Sequence, residues 1–290
     1  MTAPRLVLDA KANLGEGPLW SAREQAIHWT DIKAKRLNRY RLADGATQSW
    51  DMPDTIGWAV ERRDKPGFVV GLAHAIAEVT LDPFRLIERC RIETDKPGNR
   101  LNDAKVDPLG RVWFGTMHDR EKENSGAFYR LDADFSVHKV DGGYICANGP
   151  TFSPDGRIVY HTDSNAREIY RFDVRPDGSL AGKRVFARFE EPEGFPDGMT
   201  TDRDGCLWVA HWGGSRITRC RPDGTHDRTI AFPVSQVTSC TFAGDRLDRM
   251  FVTSARIGLS DAQLAKEPMA GGLFEIDPGV AGLPTYPFAG

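Results

Sequence analysis

Cysteine is scarce and scattered in this chain. Its 290 residues include five cysteines, an odd number that never forms a C-x-x-C pair: Cys90, Cys146, Cys206, Cys220 and Cys240. This distribution predicts reduced thiols and argues against a disulfide framework or a cysteine zinc site.

The chain also lacks long apolar runs and an excess of one charge. It has no window of about 18 apolar residues, as a membrane-spanning helix requires, and residues 1–12 contain no apolar run of signal-peptide length. Lys and Arg number 38 against 41 Asp and Glu, for a net charge of -3, and no basic block stands out. We therefore expect a soluble, cytoplasmic protein that binds neither membranes nor nucleic acid. The sequence shows no sign of an obligate protein partner.

Several catalytic motifs are missing as well. The sequence has no G-x-S-x-G nucleophile elbow, no phosphate-binding Walker loop and no H-E-x-x-H pair. These absences disfavour covalent serine catalysis, phosphoryl transfer and a zincin-type protease.

The chain does contain a repeated hairpin. Residues 148–163 read as a strand, a Ser153-Pro-Asp-Gly156 turn and a second strand, because Pro and Gly suit the turn and apolar segments flank it. Residues 102–116 and 197–211 repeat this plan, and weaker copies begin near residues 16, 58 and 241. The positions that open the second strands (27, 68, 111, 157, 206 and 249) are 41, 43, 46, 49 and 43 residues apart.

A period in the forties with strand-rich repeats is typical of a β-propeller. We predict an all-β, six-bladed propeller of four-stranded antiparallel blades that forms a single domain over residues 1–290. A β-sandwich or a pair of β domains is the alternative, but neither requires one turn repeated at near-constant spacing. Residues 5–9 are predicted to pair with residues 272–276 and close the ring, and residues 260–266 to form one short helix capped by Ser260.

Four polar residues occupy equivalent positions in their repeats. Glu16, Asn102, Asn148 and Asp197 each lie eight residues before the turn position, where that position is Glu24 in the first repeat. Equivalent positions at the start of innermost strands form a ring around one mouth of the channel. Two carboxylates and two amides there predict a site for one divalent cation, whether Ca²⁺, Mn²⁺, Mg²⁺, Zn²⁺ or Fe²⁺. Alternatively, each side chain satisfies local backbone groups.

Other polar and aromatic residues near these positions have two interpretations. Arg100 would present its positively charged guanidinium group, in a fixed orientation, to substrate oxygens, or form an ordinary surface ion pair. His161 and Asp163 are expected to end a strand through local hydrogen bonds. A second set could line the mouth or belong to the core: Trp58, Phe195, His211 and Trp212.

Five motifs together resemble the SMP-30/gluconolactonase family, which includes regucalcin and bacterial sugar lactonases. They are LGEGP at 14–18, RLND at 100–103, NGPTFSPDG at 148–156, YHTDS at 160–164 and PDGM at 196–199. The resemblance implies that Glu16, Asn148 and Asp197 bind the divalent ion, and that Arg100 and Asn102 contact the substrate or its waters.

Within this family, residues 115–126 resemble the bacterial aldonolactonases, notably those acting on xylonolactone. The animal members use an acidic substrate-contacting residue in a different loop, and the candidates for it here are Asp119, Glu121 and Glu123.

The expected function is metal-dependent hydrolysis of a sugar lactone, such as xylono-, arabinono- or gluconolactone, to the aldonic acid. In this hypothesis the ion acts as a Lewis acid on the lactone carbonyl, and Asp197 helps to remove a proton from the attacking water. Two alternatives are a metal-dependent esterase or organophosphate hydrolase, and a non-enzymatic calcium- or sugar-binding propeller.

Overall fold

The computed structural model describes residues 3–290, which form six four-stranded antiparallel sheets. The first strand of each sheet contacts the first strands of the sheets before and after it, all the way round the molecule. These six strands therefore line a central channel, and each sheet is one blade of a propeller. The predicted six-bladed propeller is confirmed, and the β-sandwich alternative is wrong.

Five blades are built from consecutive strands. Blade 1 comprises β2 (Gly15–Ser21), β3 (Ala26–Asp31), β4 (Arg36–Arg41) and β5 (Thr47–Asp51). Blade 2 comprises β6 (Ile56–Glu61), β7 (Phe68–Leu72), β8 (Ala75–Leu81) and β9 (Phe84–Arg91). Blade 3 comprises β10 (Asn99–Val106), β11 (Val112–His118), β12 (Gly126–Leu131) and β13 (Val137–Tyr144). Blade 4 comprises β14 (Ala147–Phe152), β15 (Ile158–Asp163), β16 (Glu168–Val174) and β17 (Leu180–Arg188). A 3₁₀ turn (Glu191–Glu193) leads to blade 5, which comprises β18 (Phe195–Thr201), β19 (Leu207–Trp212), β20 (Arg216–Cys220) and β21 (His226–Ala231).

The sixth blade closes the ring with strands from both ends of the chain. Its strand order is β22 (Val237–Ala243), β23 (Arg249–Ser254), β24 (Leu273–Ile276) and β1 (Arg5–Leu8). Arg5 lies opposite Glu275 in the antiparallel register between β1 and β24. The predicted closing strand is thus confirmed. The predicted helix is also present as α1 (Asp261–Lys266), and Ser260 caps it by accepting a hydrogen bond from the Gln263 N–H.

The repeated turns hold the inner hairpins of blades 3, 4 and 5 in the same way. In blade 4, Gly156 has φ of 68° and donates its N–H to the Ser153 carbonyl at 2.8 Å, a backbone conformation that glycine adopts without a steric penalty. In blade 3, the equivalent turn also contains a buried aspartate, Asp107, which accepts a hydrogen bond from the Trp113 indole at 2.9 Å. The turn therefore fixes both the backbone and one core side chain.

Aromatic side chains fill the space between neighbouring blades. Trp58 of blade 2 packs on Phe114 of blade 3 with ring centroids 5.8 Å apart, so Trp58 belongs to the core. His161 is fully buried, 4.1 Å from Phe128 between centroids. Within residues 3–290 neither of its ring nitrogens has a hydrogen-bond partner. The expectation that His161 ends its strand through hydrogen bonds is wrong, because its ring is used as packing surface.

The segment after β24 crosses the mouth at which the inner turns lie. Gly282 donates its N–H to the Leu247 carbonyl at 2.8 Å, and Ala289 donates to the Gly110 carbonyl at 2.9 Å. Phe288 is fully buried beside Phe135. This tail covers one end of the channel and leaves the opposite end for the candidate site. None of the helical segments within residues 3–290 has the length and apolar character of a membrane span.

Candidate active site

Irregularities in four innermost strands bring polar side chains to the open mouth. The pairing with the second strand shifts register between Glu16 and Leu19, Leu101 and Ala104, Asn148 and Thr151, and Pro196 and Met199. Such bulges bend a strand and re-aim its side chains. Glycine permits two of them, because Gly17 and Gly149 have φ of 51° and 62°. In blades 1, 4 and 5 the sequence signal is therefore a polar residue followed by glycine.

All five residues predicted for the site line one cavity of about 340 Å³ at this mouth: Glu16, Arg100, Asn102, Asn148 and Asp197. Each of them is almost completely buried in the protein. The volume lies within the range of about 300–1,000 Å³ that is common for small-molecule sites. We call this cavity the cup. The structure brings the predicted residues together, while their separate roles stay predictions.

The carboxylates of the cup are held in an environment that disfavours their charged forms. Burial, with a contribution from the nearby Asp103 carboxylate, raises the pKa of Glu16 to about 8. Burial raises the pKa of Asp197 well above its usual range, and the Glu16 carboxylate adds to that effect. Two buried carboxylates that repel one another are costly to ionise together unless a cation is placed between them.

The donor set fits a hard divalent cation. Within residues 3–290, Oδ1 of Asp197 is buried without a hydrogen-bond partner, so a carboxylate oxygen is free to accept a ligand. No group of three or more His, Cys, Asp or Glu side chains in that range is arranged to hold a metal. A third ligand would therefore have to be the Asn148 amide oxygen, which suits the oxygen preference of ions such as Ca²⁺ and Mg²⁺.

Arg100 and Asn102 form the wall beside these residues. Nη1 of Arg100 donates to Oδ1 of Asn102 at 2.6 Å, and Nδ2 of Asn102 donates to Oδ1 of Asn148 at 2.8 Å. Nε of Arg100 donates to Oδ1 of Asp119 at 2.6 Å, and the Lys33 ammonium lies 2.5 Å from the same oxygen. Arg100 thus does form an ion pair, with Asp119, but its side chain is buried in the cup and does not lie on the surface.

Several residues of the cup lie on loops, and sequence reasoning missed two of them, Lys33 and Asn165. Lys33, Asp119, Glu121 and Asn165 line it, and each follows the second strand of its blade. The loop after the second strand of a blade lies at the same mouth as the start of the innermost strand. Applied to the sequence, this rule would have identified these loop residues. Of the three acidic candidates, Asp119 and Glu121 line the cup, whereas Glu123 does not and its side chain is 68% exposed.

An apolar wall completes the cup. Phe195 and Trp212 are cross-strand neighbours that line it together with Ile257, and the Arg167 guanidinium stacks on Phe195 at 4.3 Å from the ring centroid. His211 is buried and lies outside the wall. The cup is thus polar on one side and aromatic on the other, an arrangement suited to a small ligand that carries both hydroxyl groups and C–H surfaces.

Fold and site together define a six-bladed β-propeller with an oxygen-rich cavity at one end of its channel. A sequence profile described as the SMP-30/Gluconolactonase/LRE-like region matches residues 14–256. The chain belongs to this family, as its motifs predict.

Relatives of known activity align over nearly the whole chain. An L-arabinolactonase from Azospirillum brasilense is 42% identical over 289 residues, which cover 98% of this chain and 95% of the relative. A 6-deoxy-6-sulfogluconolactonase from Pseudomonas putida is 35% identical over 280 residues, which cover 96% and 95%. Among solved structures, regucalcin from Agrobacterium tumefaciens, a calcium-binding protein, superposes with a TM-score of 0.95 at 28% identity, covering 99% of this chain and 97% of that one.

Proposed function

We propose that the protein hydrolyses a sugar lactone to the open-chain aldonic acid with the aid of one divalent cation. The observation that carries this proposal is the convergence of Glu16, Asn148 and Asp197 with Arg100 in one buried cup. The activities of the two bacterial relatives, on an arabinolactone and on a sulfogluconolactone, support the substrate class.

Each polar residue of the cup has a role in this proposal. Glu16, Asn148 and Asp197 would hold the ion, whose chemistry is to polarise the lactone carbonyl. Asp197 accepts a proton from the water that attacks the carbonyl carbon. The bond from that carbon to the ring oxygen then breaks, and the proton held by Asp197 passes to the ring oxygen, which becomes a hydroxyl group. Arg100 and Asn102 orient the sugar oxygens.

The aromatic side of the cup supports a sugar as the substrate. Phe195 and Trp212 offer flat apolar surface, while Arg100 and Asp119 offer a donor and an acceptor on the polar side. A sugar lactone presents C–H groups and hydroxyl groups on different faces of a small ring. Its C–H face can pack on the aromatic side of the cup while its hydroxyl groups form hydrogen bonds with the polar side.

The test is acid release from xylono-, arabinono-, glucono- and galactonolactone. Protein stripped of metal is assayed alone and after addition of Ca²⁺, Mn²⁺, Mg²⁺, Zn²⁺ or Fe²⁺, and spontaneous hydrolysis is subtracted. We expect turnover only with metal, and the panel ranks both sugar and ion. Binding of an ion without turnover of any lactone would instead favour a calcium-binding propeller, the alternative suggested by the likeness to regucalcin. Turnover of aryl esters or organophosphates in place of lactones would favour the esterase alternative.

A further inference from the structure

A continuous chain of hydrogen bonds runs through the wall of the cup. Arg100 donates to Oδ1 of Asn102 at 2.6 Å, and Nδ2 of Asn102 donates to Oδ1 of Asn148 at 2.8 Å. Nδ2 of Asn148 donates to Oγ of Ser164 at 3.0 Å, and Ser164 donates to the Pro196 carbonyl at 2.7 Å. Five residues from three blades are joined in this way.

The direction of this chain is fixed by its two ends. A guanidinium has only N–H donors, so Asn102 must turn its oxygen toward Arg100. A carbonyl oxygen has no donor, so Ser164 must give its proton to Pro196 and offer a lone pair to Asn148. Each amide between these ends then has one possible orientation. The nitrogen of Asn148 points to Ser164, which leaves its oxygen on the side of the cup.

Ser164 also connects two of the proposed ion ligands. It accepts from the Asn148 side chain and donates to the carbonyl of Pro196, the residue directly before Asp197. Ser164 is buried, 7% exposed. Its backbone N–H donates to the Cys146 carbonyl at 3.1 Å, so the position of the hydroxyl is fixed from the main chain as well.

We propose that Ser164 is a positioning residue for the ion site: its hydroxyl holds the amide oxygen of Asn148 toward the cup and ties that ligand to the strand that carries Asp197. Without the hydroxyl, the Asn148 nitrogen keeps only a contact with Sγ of Cys146 at 3.5 Å. The amide is then held mainly at its oxygen, by Asn102, and can rotate more easily. A rotated amide presents N–H groups to a cation, which repel it. This inference rests on the proposed metal-dependent function.

The experiment measures ion affinity directly. Calorimetric titration of metal-free wild type, Ser164→Ala and Ser164→Thr with Ca²⁺ and with Mn²⁺ gives dissociation constants that do not depend on turnover. Removing an outer partner of a metal ligand typically weakens binding roughly 10- to 100-fold. We expect a loss of that size in Ser164→Ala and its recovery in Ser164→Thr, which keeps the hydroxyl.

Ser153→Ala is the matched control. Ser153 lies on the same β14–β15 hairpin at the far mouth, where its hydroxyl accepts from the Ile158 N–H at 3.0 Å. Its loss should lower the melting temperature without changing ion affinity. Equal affinity in wild type and Ser164→Ala would overturn the inference alone, as would an equal loss in Ser153→Ala. Absence of ion binding in the wild type would overturn the metal-dependent function and the inference with it.

Discussion

Arg100 and Asp119 form an ion pair inside the cup, with Nε of the arginine 2.6 Å from Oδ1 of the aspartate. The guanidinium is thereby held in one orientation, with Nη1 directed to Asn102. Asp119 lies on a loop and Arg100 on an innermost strand. The loop therefore determines the orientation in which the Arg100 guanidinium faces a ligand.

Asp119→Ala should therefore weaken substrate binding more than it slows the chemical step. A hydrogen bond to a charged group contributes about 1.5–3 kcal/mol, so KM should rise roughly 10- to 100-fold with a smaller change in kcat. Lys33→Met is the matched control, because it removes the second cation at Oδ1 of Asp119 while the Arg100 contact remains. An unchanged KM in Asp119→Ala would contradict the role given to Arg100.

Asp197→Asn should abolish most of the activity. The amide keeps an oxygen for the ion but cannot accept the proton from the attacking water, and loss of a general base typically costs about 10²–10⁴-fold in rate. Steady-state kinetics should show the fall in kcat, while titration with Ca²⁺ or Mn²⁺ should show that some ion binding is retained. Full activity in a correctly folded Asp197→Asn or Asp197→Ala protein would show that another group is the base.

Metal-free protein should become less stable as the pH rises from about 6.5 to 8.5. The pKa of Glu16 is raised to about 8 in the folded protein, against about 4.3 in an unfolded chain. The folded state thus binds more protons than the unfolded state over this interval, and stability is lost as pH passes through the folded pKa. An added divalent cation takes the place of the proton and should remove this decline.

Thermal melts in EDTA and in excess Ca²⁺ or Mn²⁺ provide the measurement. Glu16→Gln cannot ionise, so its metal-free melting temperature should fall less over the same pH interval. A metal-free wild type whose melting temperature rises from neutral to alkaline pH would contradict the account of the paired carboxylates.

Phe288→Ala should destabilise the fold by about 3–5 kcal/mol, the usual cost of deleting a buried phenylalanine. Phe288 is fully buried where the tail crosses the propeller, whereas Phe84, 47% exposed, is a matched control whose substitution by Ala should change stability by no more than about 0.5 kcal/mol. Urea unfolding measures both. Equal effects at the two sites would mean that the tail contributes little to the closed ring.

The blades could be predicted from the sequence because each depends on a local signal. Ser153-Pro-Asp-Gly156 determines its turn within four residues, and neighbouring repeats carry the same information. Ring closure was also predictable, because residues 5–9 lie before the first repeat and have no neighbouring strand there with which to pair. Glu16, Asn148 and Asp197 could be placed together because equivalent positions in a propeller converge.

The walls of the cup could be derived only in part. Lys33 and Asn165 occupy equivalent positions, because each lies two residues after the second strand of its blade, in a loop of the same length. The loop that carries Asp119 and Glu121 spans residues 119–125, is longer than these two, and has no counterpart in blades 1 and 4 that would predict where its side chains lie. His161 illustrates the same limit, because its polar side chain gave no sign that Phe128 and Tyr144 enclose it. Side chains whose surroundings come from another blade need the three-dimensional packing before their neighbours are known.

The pairing of β1 with β24 joins positions 270 residues apart, Arg5 and Glu275. During synthesis on the ribosome, each of the first five blades can pair its own strands as soon as it emerges. The sixth blade cannot, because one of its strands emerges first and its partner emerges near the end. Until that partner arrives, the growing ring carries open strand edges that invite pairing with other chains. The sixth blade therefore cannot form until β24 has been synthesised, and β1 stays unpaired until then.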